Sequence, residues 1–252
     1  LVNTFHWSLD NRITMAVSSS GAVLVNPNDA NSKPFTIRGR DIAFEPKTMQ
    51  LTPITGGAQH GVSTDQWGNR FVCSNSDHIQ HCVFEDRYLA RNPYLAVSNA
   101  RRSIAVDGPQ ADVFRISPLE PWRVIRTRLR VNKILPGIVE GGGRPAGHFT
   151  GPAGGTLYNR EARPAENLGL AFIGDVGSNL VHRKKLKPNG VSFLAERIDE
   201  KKEFLASRDT WFRPVQFANA PDGCLYICDM YRETIEHPAS IPPVLKKHID
   251  LT

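Results

Sequence analysis

Helical periodicity is scarce in this 252-residue chain. Apolar residues rarely recur at three- and four-residue spacing, which argues against a helical bundle. Long apolar runs are missing too: no stretch approaches the ~20 residues that a membrane-spanning helix needs. No charged-then-apolar leader opens the chain, so no signal peptide is visible. The pattern begins mid-stride at Leu1, and a piece of a longer protein, truncated at both ends, is expected. Only four cysteines occur, at 73, 82, 224 and 228, and none forms the C-x-x-C or C-x-x-C-H of thiol redox or covalent haem attachment. All four are expected to be small buried hydrophobes. Cys224 and Cys228, four apart on one strand, lie too far apart to bridge. A Cys73–Cys82 bridge, or one across sheets, stays open. The run Gly141-Gly142-Gly143 lacks the G-x-x-x-x-G-K-[ST] spacing of a phosphate loop.

What the chain does have is 40% hydrophobic residues, enough for one sizeable core, with 20 glycines and 18 prolines punctuating short runs. Net charge is +6. Arg126, Arg128 and Arg130 alternate with Thr127 and Leu129, as on the wet face of a strand. His182-Arg183-Lys184-Lys185 is expected near an exposed strand end. Both clusters read as solvated faces, which argues against a nucleic-acid partner.

Short strands around tight turns dominate. Four hairpins stand out. Thr4 to Trp7 pairs with Arg12 to Val17, and His60 to Thr64 with Arg70 to Ser74. Gly154 to Tyr158 pairs with Leu170 to Ile173. The fourth lies in "FRPVQFANAPDGCLYICDMYR", where Pro221-Asp222-Gly223 makes the turn. Asp, Asn and Gly there tolerate the positive φ that tight hairpins require. Outer strands are expected at 41–45, 51–54, 112–117, 123–131, 180–186 and 190–195. Helical turns are expected within 93–102 and 242–251. A repeated hairpin followed by outer strands is the pattern of an all-β protein, a β-propeller of four-stranded antiparallel blades. Residues 1–252 are read as a single propeller domain showing about four blades.

In an antiparallel hairpin the first strand begins and the second strand ends at the same sheet edge. Those ends are polar here. The first strands offer Asn3, Gln59, His60, His148, Thr150 and Arg213, and the second strands Ser18, Asn75, Asp77, Asp175 and Asp229. Gathered at one channel mouth, they form a candidate site. Two readings stay open for single residues. Asp175 and Asp229 serve either as ligands or as caps for nearby backbone N–H groups. Arg213 either binds a ligand or pairs with Asp229. His81, His182, His237 and His248 fall outside this ring.

Long ordered strings carry a family resemblance: "NTFHWSLDNRI", "GGAQHGVSTDQWGNRFVCSNSDH", "YLARNPYL", "ISPLEPWRVIRTRLRV", "GHFTGPAGGTLYN", "FIGDVGSNLVHRKKL" and "WFRPVQFANAPDGCLYICDMYRETIEHPASIPPVLKKHIDLT". They resemble the membrane-bound-dehydrogenase family of planctomycetes and related bacteria over nearly the whole chain. The resemblance implies a six-bladed propeller similar to soluble quinoprotein glucose dehydrogenases, working in the periplasm or otherwise outside the cytoplasm. It implies oxidation of a sugar or alcohol, with electrons passing to a quinone or to a haem c domain outside this chain. His60, in Gly57-Ala58-Gln59-His60-Gly61, resembles the general base. Arg213 resembles the arginine that contacts pyrroloquinoline quinone, and Arg232, His148 and Asp229 complete the implied cofactor set. Asn75, Asp77 and Asp175 are the implied metal ligands, calcium being the expected ion. Two positions depart from the pattern: Gly177 stands near the expected cofactor lysine, and Trp211 where a second arginine is expected. A non-catalytic carbohydrate-binding or docking propeller and a metal-dependent lactonase-like hydrolase are the rival readings.

Overall fold

Short apolar segments separated by Asp, Asn and Gly fold back on one another as antiparallel strands. The computed structural model describes residues 2–29, 31, 33–92, 94–95, 97, 100–159, 165–235, 241 and 243–246. Strands β1 (Asn3–Trp7) and β2 (Ile13–Ala16) come first. The pair β3 (Val23–Leu24) and β4 (Phe35–Thr36) forms a small separate ribbon. Strands β5 (Arg40–Glu45) and β6 (Gln50–Thr55) complete a first sheet in the order β1-β2-β5-β6. The second sheet is a meander of β7 (His60–Thr64), β8 (Arg70–Ser74), β9 (Asp77–Cys82) and β10 (Arg101–Ser103), with helix α1 (Asp86–Leu89) between the last two. Helix α2 (Pro121–Val131) and a 3-10 turn at Glu140–Gly143 lead to the third sheet. It runs β11 (Pro152–Leu157), β12 (Leu170–Asp175), β13 (Leu180–Asn189) and β14 (Ser192–Arg197), with β15 (Leu205–Ala206) also on β13. The hairpin β16 (Pro214–Asn219) and β17 (Leu225–Asp229) follows, then helix α3 (Pro243–Lys246). The architecture is all-β, and among the described residues none of the sheets closes on itself.

Local chemistry explains the hairpins. The Asp65 carboxylate accepts the N–H groups of Trp67 and Asn69, both at 2.9 Å, and closes the β7–β8 turn. In the β16–β17 turn, Gly223 sits at φ +80° and Asp222 accepts the Cys224 N–H at 2.8 Å. The sheets bury their faces against one another. Phe71, Ile79, Phe149, Leu157 and Ile173 fill the space between the second and third sheets, and Tyr158, Phe172, Phe217 and Leu225 that between the third sheet and the last hairpin. Each such side chain contributes roughly 1.5–3 kcal/mol when fully buried.

The first strands lie together: β1 packs against β7, β7 against β11, and β11 against β16. All four carry a register shift near their start, between Asn3 and His6, His60 and Ser63, Ala153 and Thr156, and Pro214 and Gln216. Such bulges bend a strand and re-aim its side chains. Gly61 shows why the bulge needs its residue. Its φ is +63°, and a Cβ there would stand 2.5 Å from the Gly155 backbone nitrogen.

Several expectations are corrected. Residues 123–131 are helix, not strand, because Pro121 starts the helix at its first position and Arg and Leu are good helix formers. Residues 112–117 make only an isolated bridge, Asp112 with His148. The outer strands of the second sheet are instead β9 and β10. His182 and Lys184 are fully buried: burial keeps His182 neutral, with its Nδ1 hydrogen-bonded to Glu203, and Lys184 pairs with Asp107, at 2.6 Å each. Cys73 and Cys82 are buried as expected, but Cys224 and Cys228 are exposed, and all four are free thiols. The helical turn expected within 93–102 falls partly outside the described residues, and Arg101–Ser103 is strand. Of 242–251, only Pro243–Lys246 is described, and it is helical.

Asp41 ties the first sheet to its entry loop and makes stability pH-dependent. Its Oδ1 accepts the N–H groups of Val17 and Gly57, while Oδ2 is buried without a partner among the described residues. Burial pushes this carboxyl up to about 6, against the pull of Arg70. The folded protein therefore keeps a proton that the unfolded chain releases near pH 4. This contribution is fully present below pH ~4 and is lost as pH rises through ~6, a change of ~3 kcal/mol. Urea unfolding at a series of pH values is expected to show that slope in the wild type and a flatter one in Asp41→Asn.

Candidate functional site

Cavities wide enough for a small ligand open at two edges of the described sheets. One, about 580 Å³, opens at the hairpin-turn edge beside Trp67, Leu168 and Phe193. Its one carboxylate, Asp65, is spent on turn amides. The other, about 460 Å³, opens where the first strands begin. His60 and Asn75 of the second sheet line one wall, and Thr150, Gly151 and Ala153 at the entry to β11 line another. Val215 and Met230 come from the last hairpin. Arg126, Arg130 and Glu140 close the cavity from α2 and the 3-10 turn.

His60 opens β7. Its ring is half-buried, and no hydrogen-bond partner stands against it among the described residues. Burial lowers its pKa below the ordinary 6.5, so the imidazole is neutral and able to accept a proton at neutral pH. Thr150 sits across the cavity. Its hydroxyl fills the space beside Gly177, where a Cβ would stand 2.0 Å from Oγ1. This is the physical reason for a glycine at the position where the resemblance expects a lysine.

Arg213 is fully buried and its guanidinium faces the interior, not the cavity. Nη2 donates to Glu120 Oε1 at 2.6 Å and to the Glu233 carbonyl. Nη1 donates to the Val176 carbonyl at 2.7 Å and Nε to the Arg232 carbonyl at 3.0 Å. Glu120 also takes Arg123 Nε. Burial raises the Glu120 pKa, but Arg123 and Arg213 more than offset it and hold the carboxyl below its ordinary range. Glu120 immediately precedes α2. Arg213 thus straps the start of α2 to the start of β16, and that strap sets Arg126 and Arg130 over the cavity.

Asp229 does not pair with the Arg213 guanidinium. Its Oδ1 accepts the backbone N–H groups of Arg213 and Tyr231 at 2.7 and 3.0 Å. Asp175 does the same one sheet earlier: Oδ1 takes Gly151 and Gly177, and Oδ2 takes Thr150. Both carboxylates clasp the entry of a first strand to the exit of a second. Ser74 gives the β7 entry the same clasp by accepting the Gln59 N–H. Asp77 begins β9, away from the cavity, with its oxygens on Ser103 and Gln80. The Arg232 side chain is exposed and does not line the cavity. His148 is buried under a crevice that shares Arg126, Arg130, Glu140 and Thr150 with the cavity, and neither ring nitrogen has a partner among the described residues.

These placements do not fit the implied cofactors. A carboxylated quinone needs a cation free to fork onto it, and Arg213 is spent on Glu120 and three carbonyls. Of the implied metal ligands, Asn75 lines the cavity, while the Asp77 carboxylate is taken by Ser103 and Gln80 and that of Asp175 by backbone N–H groups. Among the described residues no group of three or more His, Cys, Asp and Glu could hold a metal ion. The residues that do converge with His60 are Arg126, Arg130 and Glu140. The spacing of Arg123, Arg126 and Arg130, i, i+3 and i+7, is the helical signal that marked them, hidden by the two-residue alternation of the same run.

The fold and the cavity define an all-β protein of antiparallel sheets with a cationic pocket where its first strands begin. No helix among the described residues is long and apolar enough to cross a membrane. The chain belongs to the family described as Domain of unknown function (DUF7133), which matches it over residues 1–252. No curated protein and no solved structure matches it.

Proposed function

We propose that this chain is the propeller module of a sugar or alcohol dehydrogenase, with His60 as the proton acceptor. The propeller reading is supported by the sequential packing of β1, β7, β11 and β16 and by the bulge that each carries near its start. The single observation that carries the function is His60: neutral through burial, without a hydrogen-bond partner among the described residues, and on the wall of a 460 Å³ cavity. A substrate hydroxyl there gives its proton to the imidazole as its C–H hydride leaves for a two-electron acceptor, and the carbon–oxygen bond becomes a carbonyl. The acceptor belongs outside this chain, with a haem c domain as the onward electron carrier and the whole system working outside the cytoplasm. Asn75 and Glu140 are placed to bind further hydroxyls. Dye reduction over a panel of sugars and alcohols, with a quinone-type dye as acceptor, tests the reading. Turnover in the wild type that vanishes in His60→Ala supports it, and an inert wild type overturns it.

The second reading, a module that binds carbohydrate without turnover, is favoured by one observation. Groups that the resemblance assigns to cofactor and metal binding are engaged in holding the fold, Arg213 with Glu120 and Asp175 and Asp229 with backbone N–H groups. Sugar binding with no dye reduction would select it.

A further inference from the structure

We propose that the hairpin-turn edge carries a second binding site, for an uncharged oligosaccharide, with the Trp67 indole as its platform and neighbouring side-chain amides as its hydrogen-bonding rim. It lies at the other end of β7 from His60, roughly 15 Å along the strand, and is independent of His60 as proton acceptor. Trp67 is 80% exposed, the most exposed of the four tryptophans. Trp122 is stacked with Arg123 and Arg126, and Trp211 leans on Tyr231. No ring or cation among the described residues stacks on Trp67. Its turn is nonetheless fixed. Asp65 accepts the N–H groups of Trp67 and Asn69 and, at 2.7 Å, Nδ2 of Asn69, while its backbone bonds to Gly68 and Asn69. None of these bonds uses the indole. A large apolar ring is thus held open beside a cavity on a rigid turn, which is what a preorganised ligand contact requires.

The chemistry of the 580 Å³ cavity narrows the ligand. Leu168 and Phe193 give it an apolar wall, and Gln66, Asn69 and Asn159 bring three amides. Asn69 donates one amide N–H to Asp65, and Asn159 one to the Thr64 carbonyl at 3.0 Å, so both side chains are held with their carbonyl oxygens left to accept. The Asp65 carboxylate is occupied by its own turn, and among the described residues no arginine or lysine lines the cavity. An ionic ligand finds no counter-charge here. A wholly apolar ligand would bury the amides unmet. A sugar ring answers both walls: its C–H face lies on the indole and its rim of hydroxyls meets the amides. Among the described residues these walls are closed hairpin turns and offer no strand edge for a peptide to pair with. Trp67 also lines a neighbouring crevice of about 220 Å³. Charges there are paired with one another, Asp10 with Arg12 at 2.6 Å and Arg70 with Glu85 at 3.5 Å. One indole bordering two uncharged spaces suits a ligand of several sugar units.

Isothermal titration of the purified protein with cellopentaose, xylopentaose, maltopentaose, glucose and trigalacturonate tests the site. At least one neutral pentasaccharide is expected to bind about tenfold or more tighter than glucose and than trigalacturonate, and raised salt should leave that affinity unchanged. Trp67→Ala is expected to weaken it by about tenfold or more, and Trp67→Phe to keep part of it. Both variants should melt with wild type, since the turn bonds do not use the indole. His60→Ala should bind the pentasaccharide as wild type does. No binding of any neutral pentasaccharide overturns the inference, as does trigalacturonate or glucose binding as tightly. So does affinity that survives Trp67→Ala, or that His60→Ala removes, because the sugar then sits in the other cavity. The two sites fail separately: an inert His60 leaves binding at Trp67 standing, and a silent Trp67 leaves the dehydrogenase reading untouched.

Discussion

Replacing Arg213 by methionine is expected to cost about 3–5 kcal/mol of folding stability, as breaking a buried ion pair does when one charge stays behind. The guanidinium is wholly buried and holds Glu120, whose carboxylate is itself nearly enclosed. Methionine fills much of the volume but leaves Glu120 with Arg123 alone, and the carbonyls of Val176, Arg232 and Glu233 without their donor. Pairing Arg213→Met with Glu120→Gln should recover part of the loss, because the stranded charge is then gone. Urea unfolding measures both variants. A loss below about 1 kcal/mol, coupled to loss of ligand binding, would instead make Arg213 a ligand contact and not a strut. The prediction matters for function because the strut carries α2, and α2 carries Arg126 and Arg130.

Removing the imidazole of His60 is expected to lower kcat/KM for the oxidised hydroxyl by about 10²–10⁴-fold, the ordinary worth of a placed general base. The ring makes no hydrogen bond among the described residues, so the unfolding midpoint of His60→Ala should stay close to wild type. The pH profile carries the sharper signature. The base must be neutral, and burial lowers its pKa below 6.5. Activity should therefore hold as pH falls to 6.5, then drop about tenfold per unit below the lowered pKa. His60→Ala should lose that acid limb along with the rate. A wild-type limb centred above 6.5, or one that persists in the variant, assigns the proton transfer to another group.

Much of the sheet architecture was written locally. Asp65, Asp222 and their glycines name their turns, and short apolar runs between turns mark β8 and β12. What failed had a physical cause. In 123–131, arginine at every second position mimics a strand's wet face, while the same residues satisfy a helix begun by Pro121. Strand β9, Asp77–Cys82, carries His, Gln, His and Cys in a wholly buried run, so no apolar stretch announced it. His78 Nδ1 meets the Pro109 carbonyl, Gln80 Nε2 donates to Asp77 and His81 Nδ1 meets Ser192, contacts that the strand's own pattern does not announce.

The candidate site was legible as a place more than as a set of partners. Antiparallel geometry put the strand ends at one edge, and His60, Asn75 and Thr150 do share a cavity there. Arg213, Asp175 and Asp229 sit at the same edge but face their own backbone. The reason lies in the edge itself: every strand entry brings unpaired N–H groups, and a nearby carboxylate or guanidinium satisfies backbone before it serves a ligand. The cationic wall comes from α2, inserted between the second and third sheets, and strand logic alone could not deliver it.

Imidazole resonances read the proposed base directly. In NMR spectra of protein carrying labelled histidine, assigned with His60→Ala, the His60 ring is expected to titrate below pH 6.5. Addition of the oxidised sugar is expected to shift its signals, while His81, outside the cavity and bonded to Ser192, stays unmoved. A His60 ring that titrates at or above 6.5 and ignores every sugar that the protein binds would contradict its place as the proton acceptor.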